Sequence, residues 1–297
     1  VDDPFGSLPA AFERTEPGDT IYVMPGTYSG DFNQGIYTPD DHELTIIGTG
    51  SVDETVFELT NEMFMSFYGS NGTVKNITFT GSTNNSSAIT ISYQTEWENR
   101  VLTLDNCKFL DLQGKSVRVT SHNTANISNC VFGGNTSDPN SSPWGSSVLL
   151  NNRTELNLSG CLFYDNQDVN NNSQHYGTIY ADQSHYTINI DGCTFYDNGG
   201  EGSVAIYDGN TNTSSKWINV TNSIFYSDVI DAEHTNLSAT YCLIYDVEGE
   251  GNFYNDPLFC DVDSSDFTLY NNSPCAGTGE EGATIGALEV GCGTYSG

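Results

Sequence analysis

Leu156-Asn-Leu-Ser-Gly-Cys-Leu-Phe163 returns as Ile188-Asn-Ile-Asp-Gly-Cys-Thr-Phe195 and Ile218-Asn-Val-Thr-Asn-Ser-Ile-Phe225, and is preceded by Leu102-Thr-Leu-Asp-Asn-Cys-Lys-Phe109 and Asn126-Ile-Ser-Asn-Cys-Val-Phe132. Weaker copies stand at Val74-Lys-Asn-Ile-Thr-Phe79 and Ala239-Thr-Tyr-Cys242-Leu-Ile244. The anchors Phe79, Phe109, Phe132, Phe163, Phe195 and Phe225 are 30, 23, 31, 32 and 30 residues apart, which is the period of a solenoid. Within each copy apolar and polar residues alternate, the signature of a strand with one buried face. A second apolar stretch recurs between copies, at Val117-Arg-Val119, Val148-Leu-Leu150, Thr178-Ile-Tyr180 and Val204-Ala-Ile206. One repeat cannot bury its inner face alone, so the strands must pair with their equivalents in the next coil, about 4.8 Å away. The reading is all-β: a single-stranded right-handed parallel β-helix. Hairpin turns at steady short spacing, which a barrel or sandwich needs, are missing from this cycle.

Stacking assigns the residues of each copy. Phe109, Phe132, Phe163, Phe195 and Phe225 form an inner file, beside a second file of Cys107, Cys130, Cys161 and Cys193 that Ser223 continues. Buried free thiols are the plain account of that file, although the coil spacing would also admit disulfides. Three residues after each Phe come Asn135, Asn166, Asn198 and Asp228, suited to a left-handed corner and to hydrogen bonding between coils. Asn126, Asn157, Asn189 and Asn219 lie between inward residues such as Leu156 and Leu158, and therefore point outward.

At these motifs the chain resembles the right-handed parallel β-helix proteins of the pectate-lyase-like superfamily, especially secreted repeat proteins with Cys-x-Phe-x-x-Asn coils. Pro17-Gly-Asp-Thr-Ile-Tyr-Val-Met-Pro-Gly-Thr-Tyr-Ser-Gly30 is similar to the entry into the first coil of that group, after a short capping helix from about Leu8 to Arg14. Asp256-Pro-Leu-Phe259, Asp266-Phe-Thr-Leu269, Ser273-Pro-Cys275 and Ile285-Gly-Ala287 resemble its closing segment. The expected organisation is one domain, with the capped solenoid over 1–247 and a closing segment over 248–297. At least one disulfide among Cys260, Cys275 and Cys292 is expected to staple that segment, with the pairing open. The resemblance implies a fold and not an activity. Lyase-type members use Arg or Lys beside calcium-binding carboxylates, and polygalacturonase-type members use Asn-Thr-Asp, Asp-Asp and Gly-His-Gly motifs. Of the latter motifs only Asp2-Asp3 and Asp40-Asp41 occur, both outside the central coils, and Arg118 and Arg153 are the only strand-region arginines of the middle coils.

Eight Lys plus Arg against 39 Asp plus Glu leave a net charge of −31, which opposes nucleic acid and anionic membranes as partners. No stretch approaches the length of a membrane span, and the opening at Val1 reads as the start of a processed chain. Asn-x-Ser/Thr sequons are about twice as frequent as composition predicts. The glycosylation candidates are Asn71, Asn76, Asn84, Asn126, Asn135, Asn140, Asn152, Asn157, Asn171, Asn212, Asn219 and Asn236. Asn85 and Asn271 open further sequons. An extracellular location, secreted or at the cell surface, follows from that excess. No cofactor is expected beyond covalent N-linked glycans. Calcium has slight support at Asp165 and Asp197, which adjacent coils would bring together, and in Asp261-Val-Asp-Ser-Ser-Asp266, although solvated turns account for both.

Catalytic and cofactor-binding residues are not identified by motif, and no metal-ligand spacing stands out among the cysteines and histidines. Trp144, His175 and Tyr176, in the longer loops, are the candidate interface residues. The expectation is a non-catalytic extracellular glycoprotein, a surface, matrix or fibre subunit whose partners are copies of itself or other extracellular glycoproteins and glycans. The alternative is a polysaccharide-active enzyme, lyase or hydrolase, or a carbohydrate-binding adhesin on the same fold.

Overall fold

The computed structural model describes residues 5–92, 98–137, 147–167, 177–182, 185–199, 203–209 and 215–296. Its body is a parallel β-helix of three faces. The first face holds nine parallel strands, one per coil: Asp19–Val23, Leu44–Gly48, Gly72–Lys75, Val101–Asp105, Thr124–Ser128, Thr154–Ser159, Tyr186–Asp191, Lys216–Thr221 and Asn236–Thr240. The second face carries the phenylalanines, through strands such as Val131–Gly133, Leu162–Tyr164, Thr194–Tyr196 and Ile224–Tyr226. The third is formed by strands such as Val148–Asn151, Ile179–Asp182 and Ser203–Asp208. In two coils the chain passes from the second face to the third without interruption, along Thr78–Ser92 and Lys108–Thr120, and register shifts between Phe109 and Lys115 take up the bend. A helix at Leu8–Phe12, capped by Ser7, covers the first coil.

The inner files are as the alternation dictates. Phe79, Phe109, Phe132, Phe163, Phe195 and Phe225 are fully buried, and consecutive rings from Phe109 onward lie 4.9, 4.5, 4.6 and 4.6 Å apart, nearly parallel. Cys107, Cys130, Cys161, Cys193 and Cys242 are buried free thiols. Cys193 N–H donates to Ser223 Oγ at 3.0 Å, so the serine completes the file.

A buried amide ladder ties the corner after each Phe. Asn135 Nδ2 donates to Asn166 Oδ1 at 2.8 Å, Asn166 Nδ2 to Asn198 Oδ1 at 2.7 Å, and Asn198 Nδ2 to Asp228 Oδ2 at 2.7 Å. Each asparagine also donates to a carbonyl of an earlier coil, of Phe109, Phe132 or Phe163. Asp228 ends the series as an acceptor, where no further rung has to be reached. The left-handed residue of the corner is one position earlier than the sequence suggests: Gly134, Asp165, Asp197 and Ser227 have φ of 64°, 53°, 47° and 65°. The asparagine is thereby turned inward, and the exposed Asp165 and Asp197 are the turn residues.

After the last coil, Phe259–Asp261, Asp266–Tyr270 and Val290–Cys292 make a small separate sheet. Phe267 packs on Tyr164 and Tyr196 at 5.0 and 5.2 Å, so the closing segment covers part of the second face. Cys260 and Cys292 form the disulfide, with Cα atoms 6.1 Å apart. Cys275 is a buried thiol in the apolar cluster of Ile224, Leu243, Leu269 and Ile285.

Candidate functional site

The outer surface of the first face is ordered by register. One file runs down its middle: Thr20, Thr45, Thr73, Thr103, Asn126, Asn157, Asn189, Asn219 and Ser238. Its asparagines form an external ladder, with Asn157, Asn189 and Asn219 Nδ2 each donating to the preceding Oδ1 at 2.9, 2.8 and 2.8 Å. A groove of about 390 Å³ lies over this ladder, walled by Ser128, Ser159, Asp191 and Thr221. The strand alternation that buries Leu158 and Ile190 presents these amides to solvent.

A second depression, of about 300 Å³, opens where the third face turns into the first. Its lining includes Asn99, His122, Arg153, His185 and Ser215. Each of these stands ten residues ahead of the stacked phenylalanine of its coil, so they occupy one corner position on five successive coils. The corner is held by paired left-handed residues: Ser121 and His122 have φ of 58° and 65°, and Asn152 and Arg153 of 60° and 56°. Ser121 and His122 N–H donate to the carbonyls of Asn151 and Asn152 at 3.1 Å, which stacks one corner on the next. Such a backbone is uncommon outside glycine and asparagine, and the second residue of each pair, His122 or Arg153, lines the depression.

The electrostatics follow from that stack. Arg153 Nη1 lies 3.4 Å from His122 Nε2, and because a guanidinium only donates, a hydrogen bond there uses that nitrogen as the acceptor. Nine buried side-chain polar atoms make no hydrogen bond among the described residues, and His122 Nδ1 and the inward-facing Thr154 Oγ1 are two of them. Glu155, two residues after Arg153, joins the two depressions: it lines the corner, and its Oε1 accepts from Asn157 Nδ2 of the ladder at 3.2 Å. Behind the corner, Lys216 Nζ pairs with Asp208 at 2.7 and 3.0 Å, both side chains being buried. Thr235 Oγ1 donates to Asp208 Oδ2 at 2.7 Å and lies 2.7 Å from the Tyr186 hydroxyl, whose ionisation burial pushes well upward. Tyr186 is therefore a neutral wall of the corner.

The sequence-derived candidates distribute unevenly over this surface. Asn126, Asn157 and Asn219 are ladder rungs in the groove. Asn135 lies in the inner ladder at 0% exposure with its Nδ2 hydrogens spent on Phe109 O and Asn166 Oδ1, which leaves no room for a glycan. Asn76 is a left-handed corner residue, Asn71 Oδ1 accepts from Val101 N–H, Asn152 is exposed beside Arg153, and Asn236 Nδ2 donates to Lys216 O. Asn140, Asn171, Asn212, Trp144, His175 and Tyr176 lie outside the described residues, as does the side chain of Asn84. Among the described residues no group of three or more His, Cys, Asp or Glu is placed to hold a metal ion.

No family model matches the sequence. No curated protein matches it either. Solved structures do match in fold. Pectate lyase Pel9A aligns with a TM-score of 0.45 and 13% identity over 96% of this chain and 91% of its own. An alginate lyase, AlyF-OU02 in complex with G6, aligns at 0.40 and 15%, over 91% of this chain and 64% of its own. A mannuronic acid specific family 6 polysaccharide lyase from human gut microbiota aligns at 0.32 and 12%, over 76% and 62%. What these share with the chain is the parallel β-helix fold. The expectation of a non-catalytic structural or fibre subunit is corrected at this point, because these neighbours are all polysaccharide lyases.

Proposed function

We propose that this protein is an extracellular polysaccharide-cleaving enzyme that lays a sugar chain along the first face and acts on it at the His122–Arg153–His185 corner. The observation that carries the reading is that corner. In a chain with only eight Lys and Arg, it collects one arginine and two histidines on consecutive coils, beside a groove of amides and hydroxyls. Amide and hydroxyl rungs suit sugar hydroxyls, which need donors and acceptors in alternation. Hydrolysis by the usual route requires two facing carboxylates, and Glu155 is the one acidic residue lining the corner among the described residues.

Elimination fits the corner better. In that reaction an imidazole takes the proton α to a uronate carboxylate, the electron pair forms the new double bond, the glycosidic oxygen leaves with its bonding electrons, and an acid protonates it. Arg153 would turn from His122 to the carboxylate and stabilise the charge that develops on it, which would free His122 Nε2 to accept the proton. N-linked glycans, on this reading, sit on sequons outside the groove.

The test is turnover of polygalacturonate, alginate and a neutral glucan by the purified chain, followed as new reducing ends and as unsaturated product. Cleavage of an acidic polymer that falls at least about a hundredfold in His122→Ala or Arg153→Ala, with the thermal midpoint unchanged, supports the assignment. Binding without turnover would reduce the protein to a carbohydrate-binding module. Absence of both would remove the corner from consideration.

A further inference from the structure

We propose that the closing end of the solenoid is a docking surface for an arginine-rich segment of a partner protein, laid along a row of tyrosines that continues the second face. This surface is separate from the corner and its groove, and it does not depend on the activity proposed for them.

Register builds the row. Tyr196 and Tyr226 are outward residues of the strands Thr194–Tyr196 and Ile224–Tyr226. Bridges from Ile224 to Leu243 and from Leu243 to Phe253 carry the face two steps further, which brings Tyr245 and Tyr254 alongside. Ring centres from Tyr196 to Tyr226 and on to Tyr254 are 6.2 and 5.9 Å apart, with interplanar angles of 16° and 25°. Tyr245 stands edge-on to Tyr254 at 5.3 Å. Packing of the closing segment accounts for the start of this row, because Phe267 and Phe259 seat on Tyr196 at 5.2 and 5.6 Å. Beyond that contact Tyr254 and Tyr245 are 43% and 61% exposed. Adjacent aromatic rings left open to water are the residues in which interface centres are enriched.

Charge selects the partner. After Lys216, the last 81 residues of the sequence hold 13 Asp and Glu and neither Lys nor Arg. Asp197, Asp246 and Asp256 border the row and are exposed. Among the described residues none of the three forms an ion pair. Burial pushes the hydroxyls of Tyr196 and Tyr226 upward, and Asp256 adds to both shifts, so its carboxylate lies within electrostatic reach of the two rings. A compact metal ion finds no cage here, since among the described residues no three Asp, Glu, His or Cys converge. Arginine suits the surface better than lysine, because a guanidinium lies flat on an aromatic face and forks to a carboxylate. The stacked rings turn their faces to one another and offer a sugar ring no flat platform. Alternate side chains of an extended peptide are about 6.4–6.8 Å apart, close to the ring steps of 6.2 and 5.9 Å.

Fluorescence anisotropy with a labelled peptide of alternating arginine and serine tests this on the full chain. Binding is expected, with affinity falling at least about tenfold in Tyr245→Ala with Tyr254→Ala and about threefold in Asp256→Asn. Tyr22→Ala with Tyr37→Ala removes two tyrosines, 66% and 58% exposed, from the opposite end and should change affinity by less than about twofold. The same peptide with lysine in place of arginine should bind at least about fivefold more weakly. Equal affinity for the two peptides, or equal losses in the two tyrosine pairs, means that net charge alone attracts the peptide, and overturns the surface. No binding by the parent chain overturns it as well. A deacetylated aminosugar oligomer that binds the row more tightly than the arginine peptide assigns it to a sugar and overturns the protein partner. If the Tyr245 and Tyr254 variant does not fold, Asp256→Asn carries the test, and an unchanged affinity there refutes the proposal.

Discussion

Replacing Asn166 by Asp is nearly isosteric, yet the inner ladder makes it a severe change. Asn166 is 1% exposed, and its Oδ1 accepts from Asn135 N–H and Nδ2 at 3.2 and 2.8 Å. Its Nδ2 donates to Phe132 O and Asn198 Oδ1 at 2.9 and 2.7 Å. A carboxylate keeps the first pair and loses the second, and it sets a negative oxygen against two acceptors. Phe132 O loses this donor at about 1–3 kcal/mol, Asn198 Oδ1 keeps only the Asn166 N–H at 3.3 Å, and repulsion puts the expected cost in the upper half of about 2–6 kcal/mol. Asp228, at the end of the same ladder, accepts from Asn198 N–H on Oδ1 and from Asn198 Nδ2 on Oδ2, so in Asp228→Asn the single amide oxygen takes both donors, as in the other rungs. It should cost about 1 kcal/mol, the charge assistance of two hydrogen bonds.

The pair also differs in pH dependence. Burial among carbonyls raises the new carboxyl in the folded state above its unfolded value near about 3.9, so the folded form holds the extra proton. The deficit of Asn166→Asp is therefore small below that unfolded value and grows as pH rises through the folded one, from about pH 4.5 to about pH 7.5. Urea unfolding followed by far-UV circular dichroism at both pH values, each against the parent chain, measures it. Equal costs for the two substitutions, or a deficit for Asn166→Asp that does not change with pH, would refute the ladder as described.

Phe163→Ala removes a ring held 4.5 and 4.6 Å from its neighbours and should lower unfolding free energy by about 3–5 kcal/mol, read as a shift in the urea midpoint. Burial pushes the thiols of Cys242 and Cys275 up to about 11 and about 12, and the inner file is buried as well. Six thiols should thus ignore an aromatic disulfide reagent at neutral pH until the chain is unfolded, and intact mass should show the Cys260–Cys292 bridge alone. Peptide mapping after expression in a glycosylating host should find Asn135 unmodified, because its amide is consumed inside the fold. Gly81→Ala places a Cβ 2.2 Å from Leu59 O at a φ of +96°, so loss of soluble expression or a midpoint lowered by at least about 2 kcal/mol is expected.

The Cys-x-Phe cycle alone determined the coil, because period-two alternation decides which side chains enter the core and a thirty-residue return decides what stacks on what. The same arithmetic contained the corner: Asn99, His122, Arg153, His185 and Ser215 follow the phenylalanine spacings. They escape a search along the chain because no two are close in sequence, and the chemistry exists only when the file is viewed down the axis. Other features had no signal of that kind. Asn126 and Asn135 are both sequon asparagines of one coil: alternation turns Asn126 outward, whereas Asn135 is sealed inside because the left-handed Gly134 precedes it. The partner of Cys260, and the pairing of Lys216 with Asp208 behind the corner, were likewise decided by the stack. Local alternation fixes the direction of a side chain, whereas its neighbour in a solenoid belongs to another coil and is chosen by the hydrogen-bonded register between strands.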